Sequence, residues 1–300
     1  LIKGPIYATK IQALNTNKPE LNIKSKKGIF GENVGVYKDL GASHTVFNLA
    51  IEKMIYPNEI FDGEDAIEIS HPENAYSFNS NGKTYYFNKS VVDNFDKTVM
   101  DYSKLGAEIT AIIVARPNSN EETFPQKMTY APYSTQGTQL MSFNTSNEYG
   151  FEYFIATIEF LASRYSDNNF SKGFVSNYII GNEIDYAKDY NRISEKQASL
   201  DTYMEEYSRA MRLTNLAVKK YNSNISVAIP VTQAWAKRGY EFIGNDVQAY
   251  APKQMIDWLN TKTKMEGDYN WGIAPHVYGY HLPQAGVYYL DTLQSSNGGK

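Results

Sequence analysis

An Asn-Glu pair and a His-x-Tyr triplet are the residues of this sequence best suited to act together on a substrate. Asn182-Glu183 follows the apolar stretch YII, and His276 and Tyr278 end another apolar stretch. A carboxyl group can donate and later accept a proton, and a neighbouring amide can hydrogen-bond a hydroxyl group as charge develops. Because strand residues two apart point to one face, the side chains of His276 and Tyr278 are predicted to lie side by side.

Hydrolysis of a glycosidic bond is a reaction that uses such groups. One carboxylic acid protonates the departing oxygen, and a second carboxylate attacks carbon or activates water. A Glu after a strand also has a structural explanation, because the N-terminus of a following helix favours its charge. The His276-Tyr278 pair, two strands after Asn182-Glu183, favours the catalytic interpretation.

Six apolar segments alternate with helical ones and would position these residues. A β-α-β opening spans 28–49, and the later strands are EITAIIVARP, the YII of 173–185, SVAIPVTQAW ending near Trp235, and WGIAPHVYGY. Helices are predicted at about 90–105, 151–165 and 195–221. Asn81-Gly82, between two alternating aromatic runs, predicts a β-hairpin inserted after the second strand.

The alternation of strands and helices predicts a parallel α/β sheet. No glycine-rich phosphate loop follows the first strand, so a (β/α)8 TIM barrel is favoured over a doubly wound sheet. The active site of a barrel lies at the carboxyl ends of its strands. The residues at which the apolar runs turn polar are Glu32, Asn33, Asn48, Arg116, Asn182, Glu183, Gln233, Trp235, His276 and Tyr278.

The order GNE, then H-x-Y two strands later, resembles the clan A glycoside hydrolases, which are retaining enzymes on a (β/α)8 barrel. The sequence is also similar to a bacterial family of glycoside-hydrolase-like proteins known only as a domain of unknown function. This similarity covers about residue 26 to the C-terminus and is carried by KKGIF, LGASHTVFNL, NGKTYYFN, GAEITAIIVARP, YIIGNEID and WGIAPHVY.

The resemblance implies a catalytic role for Glu183 as general acid/base. It implies that Asn182 binds the sugar 2-hydroxyl, and that His276 and Tyr278 line the subsite where cleavage occurs. From their places at strand ends, Trp235 could stack on a sugar face, and Asn48 and Arg116 complete the predicted substrate-binding set. Arg116 could instead pair with a neighbouring acid.

The sequence differs from the clan A pattern at the nucleophile, which in clan A enzymes is a Glu at the end of strand seven. No Glu follows Glu266, which precedes the sixth strand, and Asp291 and Glu32 are weak substitutes. We therefore expect residues 26–300 to be a barrel incomplete at the C-terminus, with strands one to six present, and 1–25 to be an N-terminal extension or the tail of a preceding domain. The alternative is a non-catalytic carbohydrate-binding barrel that has lost the second carboxylate.

The composition of the chain limits the classes of partner that the protein is expected to bind. The 300 residues carry a net charge of −4, with 29 basic and 33 acidic side chains in no long run, which argues against nucleic-acid binding. No Cys is present and no apolar run is long enough for membrane insertion. No cofactor and no metal site are predicted, and the oligomeric state is left open. A polysaccharide or oligosaccharide substrate implies an extracellular or cell-surface location.

Overall fold

Strands and helices alternate along most of this chain. The computed structural model describes residues 7–8, 10–31, 33–62, 64–117, 125–130, 138–238 and 248–276. The strands are β1 (Gly28–Phe30), β2 (His44–Ala50), β3 (Ile55–Tyr56), β4 (Glu59–Asp62), β5 (Asp65–Glu68), β6 (Tyr76–Ser80), β7 (Lys83–Phe87), β8 (Glu108–Val114), β9 (Asn177–Ile180), β10 (Ser226–Thr232) and β11 (Gly272–His276). The helices are α1 (Val34–Asp39), α2 (Lys89–Ser103), α3 (Glu148–Arg164), α4 (Ala187–Tyr190), α5 (Leu200–Tyr221) and α6 (Pro252–Met265).

The central sheet contains six parallel strands in the order β1-β2-β8-β9-β10-β11, which is also their order along the chain. Right-handed crossovers that all step in one direction leave their helices on one face of the sheet. In a doubly wound sheet the strand order reverses at a switch point, and no reversal occurs among these strands. The described sheet is therefore an α/β half-barrel, the arrangement of a partial TIM barrel.

The two faces of this sheet carry different apolar clusters. Alternate strand residues such as Phe47 and Ile113 belong to the large core that also contains side chains of α2, α3 and α5. Residues of the opposite parity, Ile112, Val114 and Ile179, form a separate small cluster on the other face. Because strand side chains alternate between faces, the small cluster marks the inner face of the half-barrel.

The excursion between the second and third strands of the half-barrel forms its own antiparallel sheet, in the order β3-β7-β6. Asn81 and Gly82 join β6 to β7 with φ angles of 51° and 83°. Two successive positive φ angles characterise the tight turn for which Asn-Gly is the preferred sequence. The small sheet packs on α3, where the rings of Phe87 and Phe160 stack with centroids 3.9 Å apart.

The fifth strand of the half-barrel, β10, ends at Thr232, which corrects the predicted end near Trp235. The Thr232 N–H donates to the carboxylate of Asp185 at 2.9 Å instead of to a neighbouring strand. The Thr232 hydroxyl then accepts the N–H of Ala234 at 3.3 Å, which turns the chain. Trp235 therefore lies in the turn that follows the strand.

The segment before β1 runs along the amino-terminal ends of the sheet strands. The N–H of Leu14 donates to the carbonyl of Lys220 at 2.8 Å, and the N–H of Asn22 donates to the carbonyl of Gly106 at 2.7 Å. These bonds attach the segment at the rim opposite to Asn182 and Glu183. Among the helices that the structure describes, none carries an apolar stretch sufficient for a membrane span.

Candidate active site

Glu183 lies in an unusual turn at the carboxyl end of β9. Gly181 has a φ of 80°, and Glu183 itself has a φ of 41°. A non-glycine residue in this left-handed region costs roughly 1–2 kcal/mol, because its Cβ approaches the following carbonyl oxygen. Such conformations persist where the surroundings enforce them, and they are concentrated at functional sites.

Backbone hydrogen bonds from both neighbouring strands enforce this turn. The N–H of Gly181 donates to the carbonyl of Ile113 on β8 at 2.9 Å, and the N–H of Ile184 donates to the carbonyl of Pro230 on β10 at 3.2 Å. The N–H of Tyr186 donates to the carbonyl of Glu183 at 2.8 Å and closes the turn. The backbone that carries the Glu183 carboxyl group is therefore fixed on three sides.

Helix α5 supports the same turn from the outer side of the sheet. The Tyr207 hydroxyl donates to the carbonyl of Ile180 at 2.8 Å, and the Tyr203 hydroxyl donates to the carbonyl of Ile184 at 2.5 Å. Both tyrosines are buried. These two hydroxyl groups satisfy buried carbonyls on either side of the Glu183 turn, which would otherwise be left unpaired.

His276 is brought against Glu183, although the two residues are far apart in the sequence. Nδ1 of His276 lies 2.9 Å from Oε1 of Glu183. The side chain of Glu183 is 11% exposed and that of His276 is 20% exposed. The carboxyl group is thus largely desolvated, and one of its oxygens lies within hydrogen-bond distance of the imidazole.

The other predicted site residues occupy the same rim or lie outside the described residues. Asn182 is half-buried in the turn beside Glu183, and Trp235 is half-buried after β10. Asn48 is half-buried on β2, with the parity of the inner face, and Arg116 is exposed two residues after β8. Tyr278 is outside the described residues, as are Glu32 and Asp291.

Asp185 is a member of this site that the sequence reasoning missed. Its carboxylate is fully buried and accepts both the N–H of Thr232 at 2.9 Å and the Thr232 hydroxyl at 2.5 Å. Burial raises the pKa of Asp185 to about 6; the bonds from Thr232 oppose the rise, and the negative charge of Glu183 adds to it. The sequence signal that could have identified Asp185 is its position two residues after Glu183 in the segment NEID.

Tyr190, on α4, also lies close to Glu183 and was not predicted. Burial raises the pKa of its phenol, and the negative charge of Glu183 raises it further, while a hydrogen bond with Gln139 opposes the rise. The carbonyl of Asp189 next to it accepts the N–H of Gln139 at 2.7 Å. The segment around residue 139 therefore joins α4 at the rim, and the phenol becomes part of the surroundings of Glu183.

Glu52 is a third buried carboxyl group at this rim, in the 3-10 turn that follows β2. It is 3% exposed, and among the described residues neither of its oxygens has a hydrogen-bond partner. Burial raises its pKa, and the nearby backbone N–H and guanidinium charge of Arg116 oppose this rise only in part.

Replacing Glu52 by Gln is expected to stabilise the protein at pH 7 by about 1 kcal/mol, because the variant removes a buried charge that Arg116 offsets only in part. The folded-state pKa lies above the ordinary value of 4.5. The destabilisation by Glu52 is therefore absent below pH 4.5 and grows as the pH rises through the folded pKa. Urea unfolding from pH 4 to 8 measures it, with exposed Glu68 replaced by Gln as the control. Equal stability of variant and wild type at pH 7 would contradict it.

Within the described part of the chain, no three His, Asp or Glu side chains are grouped closely enough to hold a metal ion. The chemistry that the described residues offer is proton transfer. Glu183 provides the carboxyl group, His276 holds one of its oxygens, and Asp185 adds a buried carboxylate nearby.

Solved structures of several enzymes are similar to the half-barrel. The β-glucosidase from Pyrococcus furiosus is 13% identical over 83% of this chain and 53% of its own, with a TM-score of 0.42. A mutant hyperthermophilic β-glucosidase that is dodecameric in the crystal is 13% identical over 81% of this chain and 55% of its own, with a TM-score of 0.44. Old Yellow Enzyme from Pichia sp. AKU4542 is 13% identical over 71% of this chain and 62% of its own, with a TM-score of 0.36.

The chain spans about half the length of these β-glucosidases. No curated protein sequence matches it. The model of one family, described as a family of unknown function (DUF5722), matches residues 19–297. The matched range begins before β1 and ends after β11, so it includes both Glu183 and His276. The chain therefore belongs to the family of unknown function DUF5722.

Proposed function

We propose that this chain is the greater part of a retaining glycoside hydrolase that acts on a polysaccharide or oligosaccharide. The observation that carries the proposal is the Glu183 carboxyl group at the carboxyl end of β9, held 2.9 Å from the imidazole of His276 in a strained turn. Catalytic groups of α/β barrels lie at this end of the strands. A largely desolvated carboxyl group with a fixed hydrogen-bond partner is suited to proton transfer.

Glu183 is the general acid/base of the proposed reaction. Its protonated form gives a proton to the glycosidic oxygen as the bond to the anomeric carbon breaks, and its carboxylate then takes a proton from the water that releases the sugar. The imidazole of His276 holds Oε1 of Glu183, so Oε2 carries the proton and faces the leaving oxygen. Asn182 hydrogen-bonds the sugar 2-hydroxyl beside the reacting carbon.

The nucleophile of the proposed reaction is a Glu on a seventh strand, as in the clan A enzymes that the sequence resembles. Two features support further strands that close an eight-stranded barrel. Among the described residues, β1 pairs only with β2 and β11 only with β10. Phe30 on β1 is 66% exposed and Ile273 on β11 is 43% exposed, and natural sheets avoid open edges of this kind.

The substrate cleft of the proposed enzyme lies along the rim of the half-barrel. Trp235 provides a stacking surface for a sugar ring. Asn48 and Arg116 provide polar contacts on the side of β2 and β8. Tyr278, outside the described residues, keeps its predicted role in substrate binding. A polymeric substrate places the enzyme outside the cell or at the cell surface.

The proposal is tested with the complete protein and a panel of aryl glycosides and plant, algal and host glycans. We expect release of reducing sugar from at least one substrate, and NMR spectroscopy of the first product should show retention of the anomeric configuration. Binding of a glycan in calorimetry without any turnover would instead indicate a carbohydrate-binding barrel. An inverted product would exclude the retaining mechanism.

A further inference from the structure

Asp185 links the Glu183 turn to the strand next to His276. Its carboxylate binds both the N–H and the hydroxyl group of Thr232, the last residue of β10. In the parallel register of β10 and β11, Thr232 is the partner of His276. The chain of contacts therefore runs from Glu183 through Asp185 and Thr232 to His276, and returns to Glu183 through the imidazole.

We propose that Asp185 is a positioning residue that sets the approach of the Glu183 carboxyl group to the imidazole of His276. The inference rests on the proposed function, because it assigns Asp185 a part in orienting the general acid/base. Asp185 does not touch substrate, since its carboxylate is fully buried and both of its oxygens are bound to Thr232.

At this place a buried carboxylate costs more free energy of folding than a neutral hydrogen-bonding side chain would. Burying an ionised group disfavours folding unless strong bonds compensate it, and Asp185 also lies near the negative charge of Glu183. Here the two carboxylate oxygens accept hydrogen bonds from the N–H and the hydroxyl group of one residue, Thr232. These two bonds fix the carboxylate in direction as well as distance. These bonds hold residue 185 to the end of β10, and residue 183, two positions earlier, is held with it.

The contact between Asp185 and Thr232 also explains how the carboxyl group of Glu183 is kept in place. The backbone bonds around the turn fix the main chain, but a carboxyl group at the end of a flexible side chain needs a fixed partner. His276 is that partner, and its strand is aligned with Thr232. Movement of Thr232 relative to the turn would change the distance between Glu183 and His276, and misplacement of a catalytic group by about 1 Å can cost 10²-fold in rate.

The test compares Asp185→Ala, Asp185→Asn and Thr232→Val in the complete protein, with Thr214→Val as the matched control. Thr214 is a buried Thr of α5 whose hydroxyl donates to the carbonyl of Ala210 at 2.8 Å, away from the rim. For alkyl or sugar leaving groups we expect Asp185→Ala and Thr232→Val to lower kcat about tenfold with KM little changed. For a dinitrophenyl leaving group, whose departure needs no proton, kcat/KM should change less than threefold, because kcat/KM reports only the step that forms the glycosyl-enzyme.

Asp185→Asn separates positioning from charge. The amide can accept the N–H of Thr232 and pair with its hydroxyl, so kcat for the poor leaving groups should return to within about threefold of wild type. If Asp185→Ala does not fold, Thr232→Val and Asp185→Asn supply the same comparison. An equal loss of kcat/KM for good and poor leaving groups, or a loss of the same size in Thr214→Val, would overturn the inference.

A second readout does not depend on turnover. In 15N-labelled protein, the Nδ1 resonance of His276 reports its bond to Glu183, and Glu183→Gln gives the reference shift for an altered bond. We expect Thr232→Val and Asp185→Ala to move the resonance toward this reference and Thr214→Val to leave it unchanged. An unmoved resonance refutes the positioning role. A moved resonance in a protein without glycosidase activity upholds the contact and refutes the proposed function alone.

Discussion

Replacing Glu183 by Gln is expected to lower kcat for natural glycosides by about 10³-fold, within the range usual for loss of a general acid or base. The amide keeps the size of the side chain and a contact with His276 but cannot deliver a proton. Sugar affinity should stay within a few fold of wild type, because the side chain acts mainly in the transition state. Steady-state kinetics and calorimetry with the complete protein measure the two quantities.

The matched control is Glu108→Gln, because Glu108 forms a similar pair with a histidine at the opposite rim. His44 Nδ1 lies 3.4 Å from Oε2 of Glu108, at the amino-terminal ends of β2 and β8. Its replacement should leave kcat within twofold of wild type. Wild-type kcat in Glu183→Gln, or an equal loss in Glu108→Gln, would exclude Glu183 as the acid/base.

A smaller side chain at the same position identifies the step that Glu183 serves. In Glu183→Ala, azide can enter the vacated space and attack the anomeric carbon of the glycosyl-enzyme, displacing the nucleophilic carboxylate. Azide carries its own charge and needs no base, so it should restore turnover of a dinitrophenyl glycoside and give a glycosyl azide of retained configuration. An unchanged rate with azide would contradict the double-displacement reaction.

The fold was largely predictable because its strands and helices have different hydrophobic periods. The apolar stretch of β8 and the stripe of α3 identify these elements directly, and Asn81-Gly82 identifies the turn between β6 and β7. The parallel order of the six strands followed from their alternation with helices. The end of β10 was not predictable, because the N–H and the hydroxyl group of Thr232 bind the side chain of Asp185, a contact that no local pattern encodes.

Only those site residues that lie at the ends of strands could be predicted from the sequence. Glu183 and His276 were expected at one rim, because the carboxyl ends of parallel strands meet there, and the structure places them in contact. Asp185 and Tyr190 join Glu183 through a turn with positive φ, so neither residue shares a strand period with it. Glu52 was missed because β2 was expected to end at Asn48, and the buried carboxyl group follows the observed end of the strand.

Replacing His276 by Ala is expected to lower kcat for poor leaving groups by about 10²-fold, because the Glu183 carboxyl group then rotates freely about its terminal bond. His276→Asn is the conservative variant, since the amide of Asn lies near the position of the imidazole Nδ1 and should restore most of the loss. His44→Ala removes the histidine of the pair at the opposite rim and should leave kcat unchanged. Failure of Asn to improve on Ala would show that the ring acts otherwise than through this hydrogen bond.

The double variant decides whether His276 acts through Glu183 or on the sugar itself. If its only part is to hold Oε1 of Glu183, then removing His276 from Glu183→Gln costs little more, because the group that it orients can no longer transfer a proton. The expected kcat of the double variant is within about threefold of Glu183→Gln alone. A further loss as large as that of His276→Ala in the wild type would mean that the imidazole contacts the substrate independently, and that the 2.9 Å bond to Glu183 is not its main contribution.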